Sequence, residues 1–235
     1  MTVYIAISMV TEVSYHTSLF DGVDNIPAIY ALLRIVDPYF NNSKTETVER
    51  CGYVGSSTIV RQTLKQYFVE HTRTGATANL RNIAHIERDL ITHVDIYYHE
   101  KMNVDYYIKE HFNKKGIKFD DLKPNEKSEH RRKLLLTKNG KKMKDEAKRW
   151  LLGAEYVLKD QLNPMFREPE SKQNITPKAK QLAKKKNFRD EVLKITPKRL
   201  RLPNIDWVRE RIFHLSKINN PDQEYDDFHL YRDSK

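Results

Sequence analysis

The sequence predicts an α+β fold, in which a small antiparallel β-sheet is flanked by helices and carries a basic helical insertion and a basic C-terminal extension. Two short β-prone runs, 26–36 and 51–54, are bounded by turn-forming residues, and a helical pattern follows the second run. After residue 98 the composition becomes rich in lysine. A chain of 235 residues can bury one ordinary core with appendages, but hardly two full domains.

Three strands are predicted for the sheet, besides an opening strand over Thr2–Val10. In the first, Ala28–Val36, side chains alternate, so that Ile29, Ala31 and Leu33 share one face while Tyr30 and Leu32 share the other. The second strand covers 51–54 and the third covers 92–98. If the first two pair as neighbours, Tyr30 and Tyr53 converge on one face of the sheet.

Three helices are predicted around this sheet. Ser56 and Ser57 are suited to cap a helix over 58–70, which packs through Val60 and Leu64. A second helix covers 77–90. A third covers 144–162 and ends before Pro164; the side chains that face the core in it are Trp150, Ala154, Val157 and Leu158. A last amphipathic stretch covers 205–218.

The positive charge is concentrated in the later part of the chain. The formal net charge is +10, but residues 1–100 hold 8 Lys and Arg against 11 Asp and Glu, which leaves 34 against 21 in the remainder. Such asymmetry favours a polyanionic partner, and nucleic acid is the first choice because no segment is apolar enough for a bilayer. We therefore expect a nucleic-acid partner and no membrane association.

The cysteine content indicates a reducing compartment. The single Cys51 excludes an intramolecular disulfide and a cysteine-based metal cage. The N-terminal run has neither a basic leader nor a small-residue cleavage site, so we expect a cytoplasmic or nucleoid-associated protein that is not secreted.

Four elements, taken in order along the chain, resemble the GIY-YIG nuclease superfamily. Ala28-Ile29-Tyr30 resembles its first motif and Tyr53-Val54-Gly55 its second. The helix that follows Ser56-Ser57 is similar to the next element, and 153–166, which contains Glu155, resembles the closing helix. The resemblance covers about 24–98 and 148–168. It divides the chain into a first core part (1–98), an inserted basic arm (99–147), the closing helix (148–168) and a basic extension (169–235).

The resemblance implies a site-specific DNA endonuclease of restriction or homing type, which hydrolyses phosphodiester bonds in duplex DNA with one divalent ion. Glu155 would be the ligand for Mg²⁺ or Mn²⁺, since a hard cation accepts one carboxylate with waters and phosphate oxygens. Tyr30 or Tyr53 would position or deprotonate the attacking water, and Arg61 would stabilise charge on the phosphate. A palindromic target would require a homodimer or two binding events.

The catalytic arginine of the family has no simple counterpart. An ungapped match places Thr63 at its position. A shifted helix start would make Arg61 the replacement, and another alignment uses Arg81 with His85. We rank Arg61 first because the second alignment leaves too short a path to the third strand. At the exit of the closing helix, Arg167 stands where the family commonly has asparagine, and Asn163 is the nearest amide.

Basic residues outside the catalytic set are predicted to contact DNA phosphates. The predicted DNA contacts are Lys65, Arg131, Arg132, Lys133, Lys184, Lys185, Lys186, Arg199 and Arg201. For each of these the alternative is a solvated surface charge, and for Glu155 it is a salt bridge to a lysine. The competing function is a catalytically inactive nuclease fold that binds nucleic acid through its basic extensions. A basic structural protein is a third interpretation.

Overall fold

The computed structural model describes residues 17–36, 48–70, 91–164 and 176–203. Several predicted features lie outside these ranges: the opening strand, the helix over 77–90, the final amphipathic stretch, and residues Arg81, His85 and Arg167. Within the described residues, no helix combines the length and the apolar character needed to span a bilayer.

A four-stranded antiparallel sheet forms the centre of the fold. Its strands are β1 (Ala28–Val36), β2 (Val48–Ser57), β3 (Ile91–Tyr97) and β4 (Lys198–Arg201), in the order β2-β1-β3-β4. The predicted α+β class with a small antiparallel sheet is therefore confirmed. The second strand is longer than predicted, because its ladder with β1 continues as far as the pair formed by Ala28 and Ser57.

The two faces of the sheet are covered by different helices, as the alternation in β1 predicts. Helix α1 (Val60–Lys65), which continues as a π-helical turn over Gln66–Glu70, packs on the face that carries Tyr30 and Leu32. A long helix packs on the face that carries Ile29, Ala31 and Leu33. Because both faces are buried, a side chain at the end of β2 can meet either layer.

The start of α1 differs from the prediction. Ser56 and Ser57 remain in β2, and the residue that precedes the helix is Ile59, which makes no side-chain capping bond. The Ser57 hydroxyl instead accepts a hydrogen bond from the Ile59 backbone N–H at 3.0 Å. The serine N-cap prediction is wrong because pairing with β1 holds both serines in the strand. The predicted packing through Val60 and Leu64 is confirmed.

The long helix joins the predicted arm to the predicted closing helix. The arm contains α2 (Val104–Asn113) and α3 (Pro124–Leu135), and α4 follows over Lys138–Leu162. The boundary predicted between residues 147 and 148 thus falls inside one continuous helix of 25 residues. The core side chains predicted for it are buried: Trp150, Ala154, Val157 and Leu158. The helix ends with Asn163 in the left-handed conformation, at φ 43°, before Pro164.

The described part of the C-terminal extension is built into the core. Helices α5 (Pro177–Ala183) and α6 (Lys186–Leu193) lead into β4, which pairs with β3. Lys184 and Lys185 lie in the connection between these two helices. Phe188 of α6 packs edge-on against Trp150 of α4, with ring centroids 5.2 Å apart. The extension thus completes both the sheet and the helical layer.

Cys51 is expected to react slowly with thiol reagents in the folded protein. It is buried in β2, and burial raises the pKa of its thiol from 9.0 to about 12. At pH 8 this lowers the thiolate fraction by roughly a thousandfold, and the thiolate is the reactive form. The rate at which the thiol releases the chromophore of a disulfide reagent, measured with and without guanidinium, compares its reactivity in the unfolded and the folded protein. Equal rates in the two conditions would contradict the buried placement.

Candidate active site at the end of strand β2

Tyr30 and Tyr53 lie together on the α1 face of the sheet. In the ladder between β1 and β2, Tyr30 stands opposite Gly55 and Tyr53 stands opposite Leu32. The two ring centroids are 6.2 Å apart and the rings are tilted by 51°. Tyr30 is buried and Tyr53 is half-buried, so Tyr53 is the phenol with more access to solvent. The predicted convergence of these rings is thus present in the fold.

Gly55 makes this arrangement possible because it has no side chain. A Cβ atom at this position would lie 2.7 Å from the Tyr30 hydroxyl and 2.8 Å from Cε1 of Tyr53. Both distances are well below van der Waals contact. The absence of a side chain at Gly55 therefore allows the Tyr30 phenol to approach the backbone of β2.

Glu155 contacts Ser56, the residue that follows Gly55 in β2, from the face of the sheet opposite the tyrosines. Its Oε2 accepts a hydrogen bond of 2.5 Å from the Ser56 hydroxyl. Its Oε1 lies 2.7 Å from Nζ of Lys159, and the side chains of this pair are only 15% and 13% exposed. The salt bridge considered as an alternative for Glu155 is thus formed. The tyrosine pair and the carboxylate approach consecutive residues of β2, Gly55 and Ser56, from opposite faces of the sheet.

Thr63, which the sequence resemblance aligns with a catalytic arginine, has a structural contact. It is 2% exposed, and its hydroxyl lies 2.6 Å from the hydroxyl of Ser57. This pair ties α1 to the end of β2. This position therefore carries a short, buried side chain and no cation.

Arg61 lies on α1, on the tyrosine side of the sheet. Its side chain is half-buried, and it forms no ion pair with the residues that the structure describes. Lys65, one turn further along, pairs with Asp21 at 2.8 Å. Of these two cations, Lys65 therefore has a carboxylate partner among the described residues and Arg61 has none.

Several of the predicted DNA contacts are already paired within the protein. Arg131 Nε lies 2.6 Å from Asp105, and Lys133 lies 2.6 Å from Glu129. These pairs and the one formed by Lys65 are at the surface, where an ion pair contributes about 0–1 kcal/mol and exchanges readily for a phosphate. The remaining predicted contacts are exposed: Arg132, Lys184, Lys185, Lys186 and Arg201.

Arg199 has a structural role that the sequence does not reveal. Its Nε and one terminal nitrogen donate to the two oxygens of Asp95, at 2.7 and 2.8 Å, in a bidentate pair between β4 and β3. The Asp95 side chain is 5% exposed. Removing one partner from such a pair leaves a buried charge uncompensated. Arg199 therefore helps to hold β4 in the sheet, and because its side chain is 50% exposed, its role as a phosphate contact stays a prediction.

Ser56 and Lys159 are the site residues that sequence reasoning missed. Lys159 follows Glu155 by four residues, and this spacing places two helical side chains side by side. Their contact could therefore have been predicted from the sequence. The contact between Ser56 and Glu155 spans 99 positions of the chain and has no local signal.

The oxygen donors at this site suit a hard cation held by few protein ligands. Within 17–36, 48–70, 91–164 and 176–203, no group of three or more His, Cys, Asp or Glu side chains could hold a metal ion. Glu155 brings one carboxylate, and Ser56 brings a hydroxyl oxygen. Mg²⁺ is commonly held by one or two carboxylates together with waters and substrate phosphates. The types of oxygen donor match that kind of site, and a bound ion would have to replace Lys159, whose Nζ lies 2.7 Å from Oε1 of Glu155.

The comparisons with known proteins identify no relative. The chain matches no protein-family model, no curated protein and no solved structure.

Proposed function

We propose that this chain is a metal-dependent DNA endonuclease of the GIY-YIG type, which hydrolyses phosphodiester bonds in duplex DNA at specific sites. One observation carries the proposal: at the end of β2, the first strand in the sheet order, the paired tyrosines and Glu155 approach the adjacent residues Gly55 and Ser56 from opposite faces of the sheet. A restriction or homing role in the cytoplasm or nucleoid is the form we favour, with a homodimer as the means of cutting a palindromic site.

In this proposal each residue has a separate task. Glu155, with Ser56 beside it, would hold Mg²⁺ or Mn²⁺, and the ion would supply Lewis-acid stabilisation of charge on the phosphate. Tyr53, the more accessible phenol, positions the attacking water, while the buried Tyr30 supports it. Arg61 neutralises phosphate charge from the α1 side.

Incubation of mixed plasmid and phage DNA with the wild-type chain and Mg²⁺ tests the proposal. We expect discrete fragments, and mapping of their ends gives the recognition sequence. Tyr53→Phe keeps the ring and removes the hydroxyl, so it should slow cleavage without weakening DNA binding. Tight DNA binding without any cleavage in Mg²⁺ or Mn²⁺ would contradict the endonuclease.

Two observations favour a second candidate, a nuclease fold that binds nucleic acid without cutting it. Thr63 is buried where the family has its arginine, and both carboxylate oxygens of Glu155 already have partners in Ser56 and Lys159. In an inactive chain these contacts would stabilise the fold, and no catalytic function would be impaired by them. The same cleavage assay separates the two candidates, because only the endonuclease produces new DNA ends.

A further inference from the structure

Helix α4 carries a row of lysines that leads to Glu155. Lys141, Lys148 and Glu155 are spaced by seven residues, which is nearly two helical turns, so they lie almost in line along the helix. Each step of seven residues advances about 10.5 Å along the axis. Lys144 lies on the same side, between the first two. We call Lys141, Lys144 and Lys148 the basic stripe.

The lysines of the stripe are exposed, and no ion pair in the described part of the chain compensates their charge. All three lysines are exposed, and none forms an ion pair with the residues that the structure describes. The neighbouring Lys133 is paired with Glu129, so the arm's basic run carries less unbalanced charge than its sequence indicates. Exposed positive charge on α4 therefore leads towards Glu155, with the exposed Asp145 as an acidic neighbour of the stripe.

The stripe and Glu155 are held in fixed register because they belong to one helix. Helix α4 runs without interruption from Lys138 to Leu162, and its buried side chains anchor it against the sheet. The carboxylate end is fixed again by the Ser56 contact. A phosphate bound by Lys148 would consequently lie about 10 Å along the helix from Glu155.

We propose that the sugar–phosphate backbone of duplex DNA lies along the basic stripe, which directs one strand to Glu155. The inference rests on the proposed function for its substrate, and it adds the surface that aligns this substrate. DNA presents one negative charge about every 3.4 Å along each strand, so a row of three lysines can meet several phosphates of the same strand. Such contacts are independent of sequence and set the register of the duplex on the protein.

Salt dependence of DNA binding tests the stripe. A triple variant, Lys141→Gln, Lys144→Gln and Lys148→Gln, is compared with a control that removes the same charge from the arm: Lys114→Gln, Lys115→Gln and Lys118→Gln. The control lysines are also exposed and form no ion pair with described residues. Binding of a short duplex DNA is measured in EDTA, so that no cleavage occurs. We expect the slope of log K against log salt to fall by between about 2 and 3 in the stripe variant and by less than about 1 in the control.

The outcomes distinguish the stripe from the proposed function. Equal changes of slope in both variants, or no change in either, would overturn the stripe. If the wild type does not bind duplex DNA, both proposals fail. If the stripe variant behaves as expected but the wild type never cuts in Mg²⁺, the endonuclease fails and the binding surface stands.

A tethered cleavage reagent locates the DNA directly. The only cysteine of the chain, Cys51, is buried, so Lys148→Cys introduces a single exposed thiol for an iron chelate. We expect strand breaks within a few base pairs of the enzyme's own cut, since about 10 Å corresponds to roughly three base pairs. Breaks produced by a chelate at Lys115→Cys, with none at Lys148→Cys, would overturn the proposal.

Discussion

Glu155→Gln is expected to abolish DNA cleavage while DNA binding persists. The substitution keeps the size of the side chain and an oxygen that can accept from Ser56, but it removes the charge that would hold a divalent ion. A bound metal ion supplies several kcal/mol of transition-state stabilisation. Loss of about 3 kcal/mol slows the reaction by more than a hundredfold. The measurement is the single-turnover rate of duplex cleavage in Mg²⁺, with binding followed separately in EDTA.

Glu146→Gln is the matched control for this prediction. Glu146 lies on the same helix and is partly buried, but it precedes Glu155 by nine residues, which is about two and a half turns. Its substitution should leave the cleavage rate within about threefold of the wild type, which is well under 1 kcal/mol. A Glu155→Gln enzyme that cuts as fast as the Glu146→Gln enzyme would contradict the assignment of Glu155.

Gly55→Ala is expected to destabilise the fold and to disturb the tyrosine pair. The new Cβ would lie 2.7 Å from the Tyr30 hydroxyl, and Tyr30 is 3% exposed, so its ring has little room to move. Overpacking of this kind costs about 1–3 kcal/mol. We expect the free energy of unfolding to fall by that amount in urea titrations. The cleavage rate should fall as well, because Tyr53 borders the same space.

Gly52→Ala, three residues earlier in β2, provides the comparison. A Cβ at Gly52 would approach nothing closer than 3.4 Å, which is ordinary contact with the Leu32 carbonyl oxygen. Gly52 also lies at the bulge where the register between β1 and β2 shifts. We expect a change in unfolding free energy within about 1 kcal/mol. Equal destabilisation by both substitutions would show that the tyrosine contacts are not the cause.

The central part of the fold was predictable because its signals are local. Alternation in β1 identifies both buried faces, and the helical spacing of Trp150, Ala154, Val157 and Leu158 identifies the buried side of α4. The pairing of β1 with β2 followed from two neighbouring β-prone runs, and it brings Tyr30 and Tyr53 together. For these elements, local pattern and tertiary packing agree.

The errors arose where a distant partner overrides a local preference. Ser56 and Ser57 are good helix caps, but the ladder with β1 keeps them in the strand, where their hydroxyls meet Glu155 and Thr63. Arg199 belongs to a basic run that resembles a phosphate-binding tail. The structure adds a pairing with Asp95, 104 positions away, which no local pattern indicates, because β4 joins the sheet.

The boundary predicted between residues 147 and 148 follows a change in composition, but the backbone at that point belongs to one continuous helix. The lysine-rich start of α4 suggests an inserted arm, and its apolar second half suggests a core helix, but both belong to Lys138–Leu162. The charge on a helix surface indicates which partners it can bind, whereas the backbone hydrogen bonds determine where the helix ends. This continuity is what fixes the basic stripe relative to Glu155.

Binding of Mn²⁺, followed by the loss of the free-ion signal in electron paramagnetic resonance, tests most directly whether Glu155 anchors the catalytic metal. The titration compares wild type and Glu155→Gln, each bound to a short duplex DNA. If Glu155 holds the divalent ion, we expect about one bound ion per chain in the wild type and loss of that ion in Glu155→Gln, with DNA still bound. Equal Mn²⁺ binding by both proteins would contradict the assignment of Glu155 as the metal ligand and would place the ion at another group.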